Sequence, residues 1–172
     1  MDWKIICVIS AFIIYAIYNA IALGLFGVPK SLSMTYYLFM EKKKWLSVWF
    51  PTMMISMVIL LMPSWLEISE GSYFQFMAFL AAGGIMFTGA APAFKSSDLE
   101  DKVHTGSAAF AALFALLWVI VVSQLWYFII LWLIVCSFCA VFTKTYKSSY
   151  IYWLETVAFL STFSAIISYY YI

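Results

Sequence analysis

Arginine is absent from this chain of 172 residues, and charged residues of all kinds make up only 10% of it. A net charge near +1 leaves no basic face for a polyanion, which argues against nucleic acid as a partner. There is a single histidine, and no aspartate lies inside an apolar run, so too few ligands exist for a metal site and no catalytic triad can be assembled. The sequence therefore favours a non-enzymatic protein without metal or cofactor.

Cysteine is also scarce, and Cys7, Cys136 and Cys139 all lie inside apolar runs. An odd number of thiols in such segments does not make a disulfide framework. Cys136 and Cys139 form a C-x-x-C pair whose spacing puts both on one helix face, but thiolates are costly to form in apolar surroundings. We interpret the pair as small packing residues, with a redox or metal role as the alternative.

Apolar sequence is present in excess. Hydrophobic residues make up 66% of the chain and the mean hydropathy is +1.01, whereas a soluble domain is roughly half apolar. One small aqueous core cannot bury this excess, so we expect lipid to solvate it. Six apolar runs approach the roughly 20 residues that a helix needs to span a bilayer. They are 5–27, 46–66, 73–93, 105–122, 125–142 and 150–172.

These runs predict an all-α fold, a polytopic transmembrane bundle of six helices forming one domain over residues 1–172. Helices fit because every backbone polar group in lipid must be satisfied within its own segment. The first run, of about 23 residues, exceeds a signal-peptide core of roughly 7–15 residues, so we expect a retained span. The joint at Ser123–Gln124 lacks the Gly or Pro that a tight turn prefers, and one helix over 105–142 is the alternative there.

The lysines predict the topology. Eight of the nine lie in alternate gaps between the apolar runs, and Lys4 is the exception. Positive residues are retained on the cytoplasmic side of membranes. The first, third and fifth gaps should therefore face the cytoplasm, and both termini the other side, with the plasma membrane as the expected location. The eight are Lys30, Lys42, Lys43, Lys44, Lys95, Lys102, Lys144 and Lys147.

Aromatic and small residues support the same register. Residues such as Trp3, Trp65 and Tyr152 lie near predicted helix ends, where indole and phenol rings favour the wet boundary of a bilayer. Glycine and alanine cluster in the runs 73–93 and 105–122, and such residues let helix backbones approach closely. The third and fourth predicted spans should therefore form the tight centre of the bundle.

Glu155 is the only acidic residue inside a predicted span. It lies about 7–8 Å past the lysine-rich end of the last helix, from the rise of 1.5 Å per residue. A lone ionised carboxylate at that depth costs several kcal/mol, so it should be paired, hydrated or protonated. We interpret Glu155 as a proton, cation or headgroup site, and contact with Lys144, Lys147 or a neighbouring hydroxyl is the alternative.

Further polar residues map to the same cytoplasmic half, and together with Glu155 they form the predicted ligand site. Each also has a structural alternative: Asn19 could join helices, Asp98 could cap one, and His104, at the start of the fourth span, could be an interfacial side chain. The predicted set is Asn19, Ser31, Ser33, Tyr36, Asp98, His104 and Glu155.

The first loop has two interpretations. Residues 31–41 could lie flat as an interfacial helix, with Lys42, Lys43 and Lys44 on anionic lipid headgroups. Alternatively, the segment with Ser31, Ser33 and Tyr36 folds over the mouth of the bundle and lines the site.

Two stretches carry a family resemblance. Phe87-Thr-Gly-Ala-Ala-Pro-Ala-Phe-Lys95 followed by Val103-His104-Thr-Gly-Ser-Ala-Ala-Phe110 resembles the loop between helices three and four of the damage-regulated autophagy modulator/Sfk-type membrane proteins. Pro29-x-Ser31-Leu-Ser33 is similar to their first-loop Ser-Asp motif, without its acid, and Ala91 or Pro92 stands where they have Asn. The resemblance implies six helices and His104 as a site residue.

The function that the sequence favours is binding of a lipid or small amphipathic ligand at the cytoplasmic face. Membrane lipids are the expected partners, together with a second copy or another membrane protein. The alternative is a small transporter or an ion-conducting oligomer in which Glu155 titrates in the path.

Overall fold

The computed structural model describes residues 2–90 and 98–171, and for residues 98–105 its backbone alone. Across these ranges the chain is all-helical, with 82% helix and no strand, which confirms the predicted fold class. Seven α-helices and one 3-10 helix follow each other. They are α1 (Trp3–Phe26), α2 (Met34–Lys42), the 3-10 helix Lys44–Val48, α3 (Trp49–Ile68), α4 (Phe76–Ala90), α5 (Asp98–Val121), α6 (Tyr127–Phe142) and α7 (Tyr150–Tyr171).

Three helical segments are long and apolar enough to cross a membrane, namely Trp3–Phe26, Lys44–Ile68 and Tyr150–Tyr171. Three more are apolar but shorter: Phe76–Ala90, Gly106–Val121 and Tyr127–Phe142. Each predicted apolar run therefore coincides with a helix, although the residues 91–93 of the third run lie outside the described part.

Contacts at the two ends of the bundle show how α1, α3 and α7 are arranged. Lys4 at the start of α1 donates to Glu67 near the end of α3, and Tyr170 at the end of α7 donates to the same carboxylate. At the other end, the Tyr152 hydroxyl near the start of α7 donates to Asn19 Oδ1 of α1 at 3.0 Å. Thus α1 runs opposite to α3 and α7. We name the two ends the Glu67 end and the lysine-rich end, the latter carrying Lys30, Lys42–Lys44, Lys144 and Lys147.

The boundary of α5 differs from the prediction. The helix begins at Asp98 rather than at residue 105, so His104 lies within it instead of opening it. Acidic residues near a helix N-terminus are stabilised by the helix dipole, and Asp98, Glu100 and Asp101 all fall there. An apolar run marks only the lipid-compatible part of a helix, which is why the sequence pattern missed this polar extension.

The joint between α5 and α6 is a turn, which confirms the two-helix interpretation. Gln124 adopts a left-handed backbone conformation with φ of 58°, an uncommon choice for a residue other than glycine. The Ser123 hydroxyl donates to the Val119 carbonyl at 2.7 Å and satisfies one of the last acceptors of α5. The turn needs no glycine because Gln124 takes the conformation that glycine usually supplies.

The tightest packing is between α4 and α5, which make the most extensive helix contact in the described structure. A Cβ added at Gly84 would lie 2.8 Å from the Cβ of Ala111 and 2.9 Å from its backbone nitrogen and Cα. The backbones thus approach more closely than any side chain at position 84 allows. The predicted close packing of the third and fourth spans is confirmed.

Replacing Gly84 with Ala should push α4 away from α5 and lower the free energy of unfolding by about 1–3 kcal/mol, the usual cost of overpacking. The matched control is Gly83→Ala, because a Cβ there meets no atom within 4 Å. Thermal unfolding in detergent, followed by circular dichroism, measures both. Equal melting temperatures for the two variants would contradict this account of the α4–α5 contact.

Candidate functional site

A cavity of about 40 Å³ lies inside the bundle between α3, α4, α5 and α7. Roughly 10–15 Å³ is enough for one water molecule, so the cavity has room for a few water-sized groups. Its walls are mostly apolar. The lining residues are Met54, Leu61, Trp65, Ile85, Thr88, Ala108, Ala111, Ala112, Ala115, Glu155, Ala158, Phe159 and Thr162.

The cavity exists because one face of α5 is built from alanine. Ala108, Ala111, Ala112 and Ala115 follow the i, i+3, i+4, i+7 spacing that places residues on one side of a helix. Their methyl groups reach only a short way toward α3 and α7. The small residues that let α5 approach α4 closely therefore also leave space on the side facing α7.

Glu155 is the one ionisable group among the residues that line the cavity, and it lies toward the lysine-rich end. Its Oε2 accepts a hydrogen bond from the backbone N–H of Leu32 at 2.6 Å. Leu32 is buried, with 1% of its surface exposed. Hydrogen bonds to an ionised group are roughly twice as strong as neutral ones. The carboxylate thus holds the first loop on the last helix, a contact different from the predicted ones with lysines or a hydroxyl.

The first loop folds into the mouth of the bundle at this end. The Thr35 hydroxyl donates to the Leu32 carbonyl and shares a hydrogen bond with the Tyr18 hydroxyl of α1. The Tyr152 N–H of α7 donates to the Lys30 carbonyl at 3.2 Å. We name residues 28–35 the mouth segment. These bonds support the interpretation in which the segment folds over the mouth, since Thr35 is fully buried.

Asn19 uses its side chain to join helices. Its Nδ2 donates to the Tyr15 carbonyl at 2.9 Å, and its Oδ1 accepts from the Tyr152 hydroxyl at 3.0 Å. The amide therefore bridges α1 and α7 below the mouth segment, which is the structural alternative proposed for it. A ligand role for Asn19 stays a prediction.

The predicted residues Ser31, Ser33 and Tyr36 lie near the mouth but are not among the residues that line the cavity. The Ser31 and Ser33 hydroxyls are 3.0 Å apart, and Ser31 Oγ accepts from the Met34 N–H at 3.2 Å, which caps α2. Tyr36 stacks edge-on against Tyr37, with ring centroids 5.2 Å apart. The side chains of Asp98 and His104 lie outside the described residues. The exposed lysines Lys42, Lys43 and Lys44 follow at the end of α2.

Two tryptophans close the cavity toward the Glu67 end. Trp65 lines the cavity and is fully buried, so its predicted place at the bilayer boundary is wrong. Its ring packs against Trp118 with centroids 6.3 Å apart, and Trp118 Nε1 donates to Ser69 Oγ at 2.7 Å. Within the described residues the Trp65 indole N–H has no acceptor. A buried unpaired donor costs about 1–3 kcal/mol, which a polar ligand atom reaching it would recover.

Sequence reasoning missed the cluster of Lys4, Glu67 and Tyr170 at the Glu67 end. The Lys4 ammonium and the Tyr170 hydroxyl donate to the two oxygens of the Glu67 carboxylate. This pairing explains how the one lysine outside the alternating pattern is tolerated: its charge is compensated by α3. The sequence offered one signal for this pairing: Lys4 and Glu67 both lie in segments that are predicted to face the same side of the membrane.

Nothing in the described part of the chain brings together three or more His, Cys, Asp or Glu side chains as a metal site requires. The cysteines described there are free thiols, and Cys136 is buried. The chemistry that the site offers is thus a carboxylate acceptor on the wall of a mostly apolar cavity.

Comparison of the chain with protein-family models, with curated proteins and with solved structures found no match. The functional assignment therefore depends on the geometry of the cavity and of the mouth segment.

Replacing Glu155 with Ala removes the acceptor of the Leu32 amide and should release the mouth segment. Hydrogen bonds to charged groups contribute about 1.5–3 kcal/mol, so amide exchange at residues 30–35 should accelerate on the order of tenfold or more. Hydrogen–deuterium exchange with mass spectrometry measures this. Leu154→Ala, at an exposed neighbour on α7, should leave the exchange unchanged. Unaltered exchange in the Glu155 variant would show that the carboxylate does not hold the segment.

Proposed function

We propose that the chain is an integral membrane protein whose six longer helices each cross the bilayer, with both termini at the non-cytoplasmic face and the lysine-rich end at the cytoplasmic face. Three segments have the length and hydropathy to cross. The helices α4 and α6, with 15 and 16 residues, are about 22–24 Å long by their rise. Local thinning of the bilayer accommodates such short spans at modest cost.

The outer surface of the bundle supports a lipid environment. Large apolar side chains such as Ile59, Ile134 and Phe138 are about two-thirds exposed, at 66%, 64% and 68%. Water-soluble proteins rarely expose contiguous apolar patches of this kind. The positive-inside rule then orients the bundle.

Single cysteines introduced at Lys43 and Lys144, in a background without the native thiols, should resist a membrane-impermeant maleimide added to intact cells. A cysteine at Tyr73, which is 96% exposed at the Glu67 end, should react. The physical reason is that the bilayer blocks the reagent from the cytoplasmic face. Permeabilised cells serve as the control, since all three positions should then react. Labelling of position 43 or 144 from outside would overturn the proposed orientation.

The function that this geometry supports best is binding of a lipid or small amphipathic molecule, and not catalysis. The observation that carries it is the Glu155 carboxylate on the wall of a mostly apolar cavity inside the bundle. The apolar part of the ligand lies between α5 and α7. Its polar group, a hydrogen-bond donor or a cation, replaces the Leu32 amide as the partner of Glu155.

The exposed lysines Lys42, Lys43 and Lys44 attract anionic headgroups to the same end, at about 1 kcal/mol for each lysine near the surface. In this proposal Ser31, Ser33 and Tyr36 frame the entrance, and ligand roles for Asp98 and His104 stay predictions. The family resemblance, which implies a role for His104, stays a prediction.

Transport through Glu155 is the second candidate. The pair Trp65 and Trp118, both fully buried, lies between the cavity and the Glu67 end. A continuous path would need these rings to separate. A cavity closed at one end favours a binding site over a conduit.

Propylamine should raise the melting temperature of the protein in nanodiscs, because its ammonium pairs with Glu155 while its short chain fits the cavity of about 40 Å³. The expected rise is roughly 2–4 °C for each kcal/mol of binding free energy. Glu155→Gln should abolish the rise by removing the charge. Leu154→Ala on the same helix should retain it.

Propanol and propanoate are the matched probes for the same chain length without a positive charge. Equal shifts with all three compounds, or an unchanged shift in the Glu155→Gln variant, would contradict the proposed site. Proton or cation flux in proteoliposomes that Glu155→Gln eliminates would instead favour the transporter.

A further inference from the structure

A second, larger concavity lies on the outside of the bundle between α6 and α7, with a volume of about 250 Å³. On α6 it runs from Leu133 to Val141, and on α7 from Tyr150 to Val157. The α6 side is about 12 Å long by the helix rise. Half of a hydrocarbon core about 30 Å thick is about 15 Å, so this groove covers most of one leaflet.

The groove forms because α6 presents small side chains to α7. Cys136 and Ala140 are the buried residues of α6, with 4% and 5% of their surface exposed. Larger residues, among them Leu133 and Leu154, stand along the two sides and remain partly exposed. The result is an apolar channel that is open to the surroundings along its length.

Charge at the mouth of the groove is of one sign. Residues 142–154 contain Lys144 and Lys147 and no acidic residue. The Lys147 ammonium lies 5.8 Å from the centroid of the Tyr146 ring, which lines the groove. Tyr150 lines it as well and is 57% exposed. Ammonium and phenol groups are hydrogen-bond donors, so this mouth suits an anion.

The loop that carries these donors is held in place. The Thr145 N–H donates to the Ala140 carbonyl at 2.9 Å, and Trp153 Nε1 donates to Thr145 Oγ1 at 3.0 Å. Lys144 adopts a left-handed backbone conformation, φ 57°, directly after α6 ends. Because the turn is fixed to both helices, little loop entropy is lost when an anion binds.

We propose that the α6–α7 groove binds an anionic phospholipid, with one acyl chain along the groove and the phosphate at Lys144 and Lys147. The site depends on the proposed membrane placement but is separate from the central cavity, whose wall includes Glu155. A zwitterionic lipid binds more weakly because no carboxylate is present in residues 142–154 to pair with its ammonium group.

Native mass spectrometry of the protein in micelles with equal amounts of phosphatidylglycerol and phosphatidylcholine, of identical acyl chains, tests the site. The wild type should retain phosphatidylglycerol preferentially. The double variant Lys144→Gln, Lys147→Gln should lose bound phosphatidylglycerol on the order of tenfold, the effect expected from two lysines near a membrane surface. The charge-matched variant Lys42→Gln, Lys43→Gln weakens only the general attraction of anionic lipid to the same end, because these lysines lie at the end of α2 and not in the turn between α6 and α7. It should lose much less phosphatidylglycerol.

A second variant tests the groove without changing charge. Ser137 lines the groove and is exposed, so Ser137→Phe fills the channel without disturbing the interior and should reduce the bound lipid. Ile134→Phe, at an exposed position off the groove, should not. A loss of lipid in the Ser137 variant alone would support the proposal.

Equal retention of the two lipids overturns the proposal, as does a loss in the Lys42 and Lys43 variant as large as that in the Lys144 and Lys147 variant. Dimers whose abundance falls with Ser137→Phe while lipid retention stays constant would assign the groove to a second copy instead. These results leave the proposed topology intact, which the maleimide experiment tests separately. The two proposals therefore fail through different observations.

Discussion

The Glu155 carboxylate lies inside a helical bundle and must be satisfied there, and the arrangement of the lysine-rich end follows from how it meets that requirement. Its oxygen accepts the Leu32 amide at 2.6 Å, and this bond draws the first loop into the bundle although the two residues are far apart in the chain. Leu32 and Thr35 then become buried, and Thr35 connects onward to Tyr18 of α1. Removing a buried charge from water is affordable only when such partners exist. The same bond that stabilises the mouth therefore places a titratable group on the wall of the cavity.

The two ends of the bundle satisfy their carboxylates with different hydrogen-bond donors. At the Glu67 end, a lysine and a tyrosine supply side-chain donors to one carboxylate and join α1, α3 and α7. At the lysine-rich end, the backbone N–H of Leu32 donates to the Glu155 carboxylate. A second hydrogen bond, from the Tyr152 hydroxyl to Asn19, joins α7 to α1. A backbone amide carries no charge of its own, so within the described residues Glu155 has no cationic partner, whereas Glu67 is paired with Lys4. This difference is the physical reason for locating the candidate site beside Glu155.

Small residues in α4 and α5 serve close packing and cavity formation together. Gly84 allows the backbone of α5 to approach, since a Cβ there would collide with Ala111. The alanines on one face of α5 leave room for the central cavity, which has Trp65 at one end and Glu155 at the other. On the outside, Cys136 and Ala140 produce the α6–α7 groove by the same effect. Hydrophobic patterning identified these stretches as packing faces but could not say which neighbour each face meets.

The sequence by itself determined the all-α class, the six apolar helical runs and the grouping of lysines, because hydropathy, length and charge are local properties of a chain. It also identified Glu155 as a candidate site residue, because an ionised acidic side chain inside an apolar run is unfavourable in free energy whatever the fold. Only the tertiary structure decided that Leu32 is its partner, that Trp65 is buried and not at the bilayer boundary, and that Asn19 bonds Tyr152. A backbone amide has no sequence signature, and burial depends on which helices become neighbours, so these contacts arise only when the helices pack.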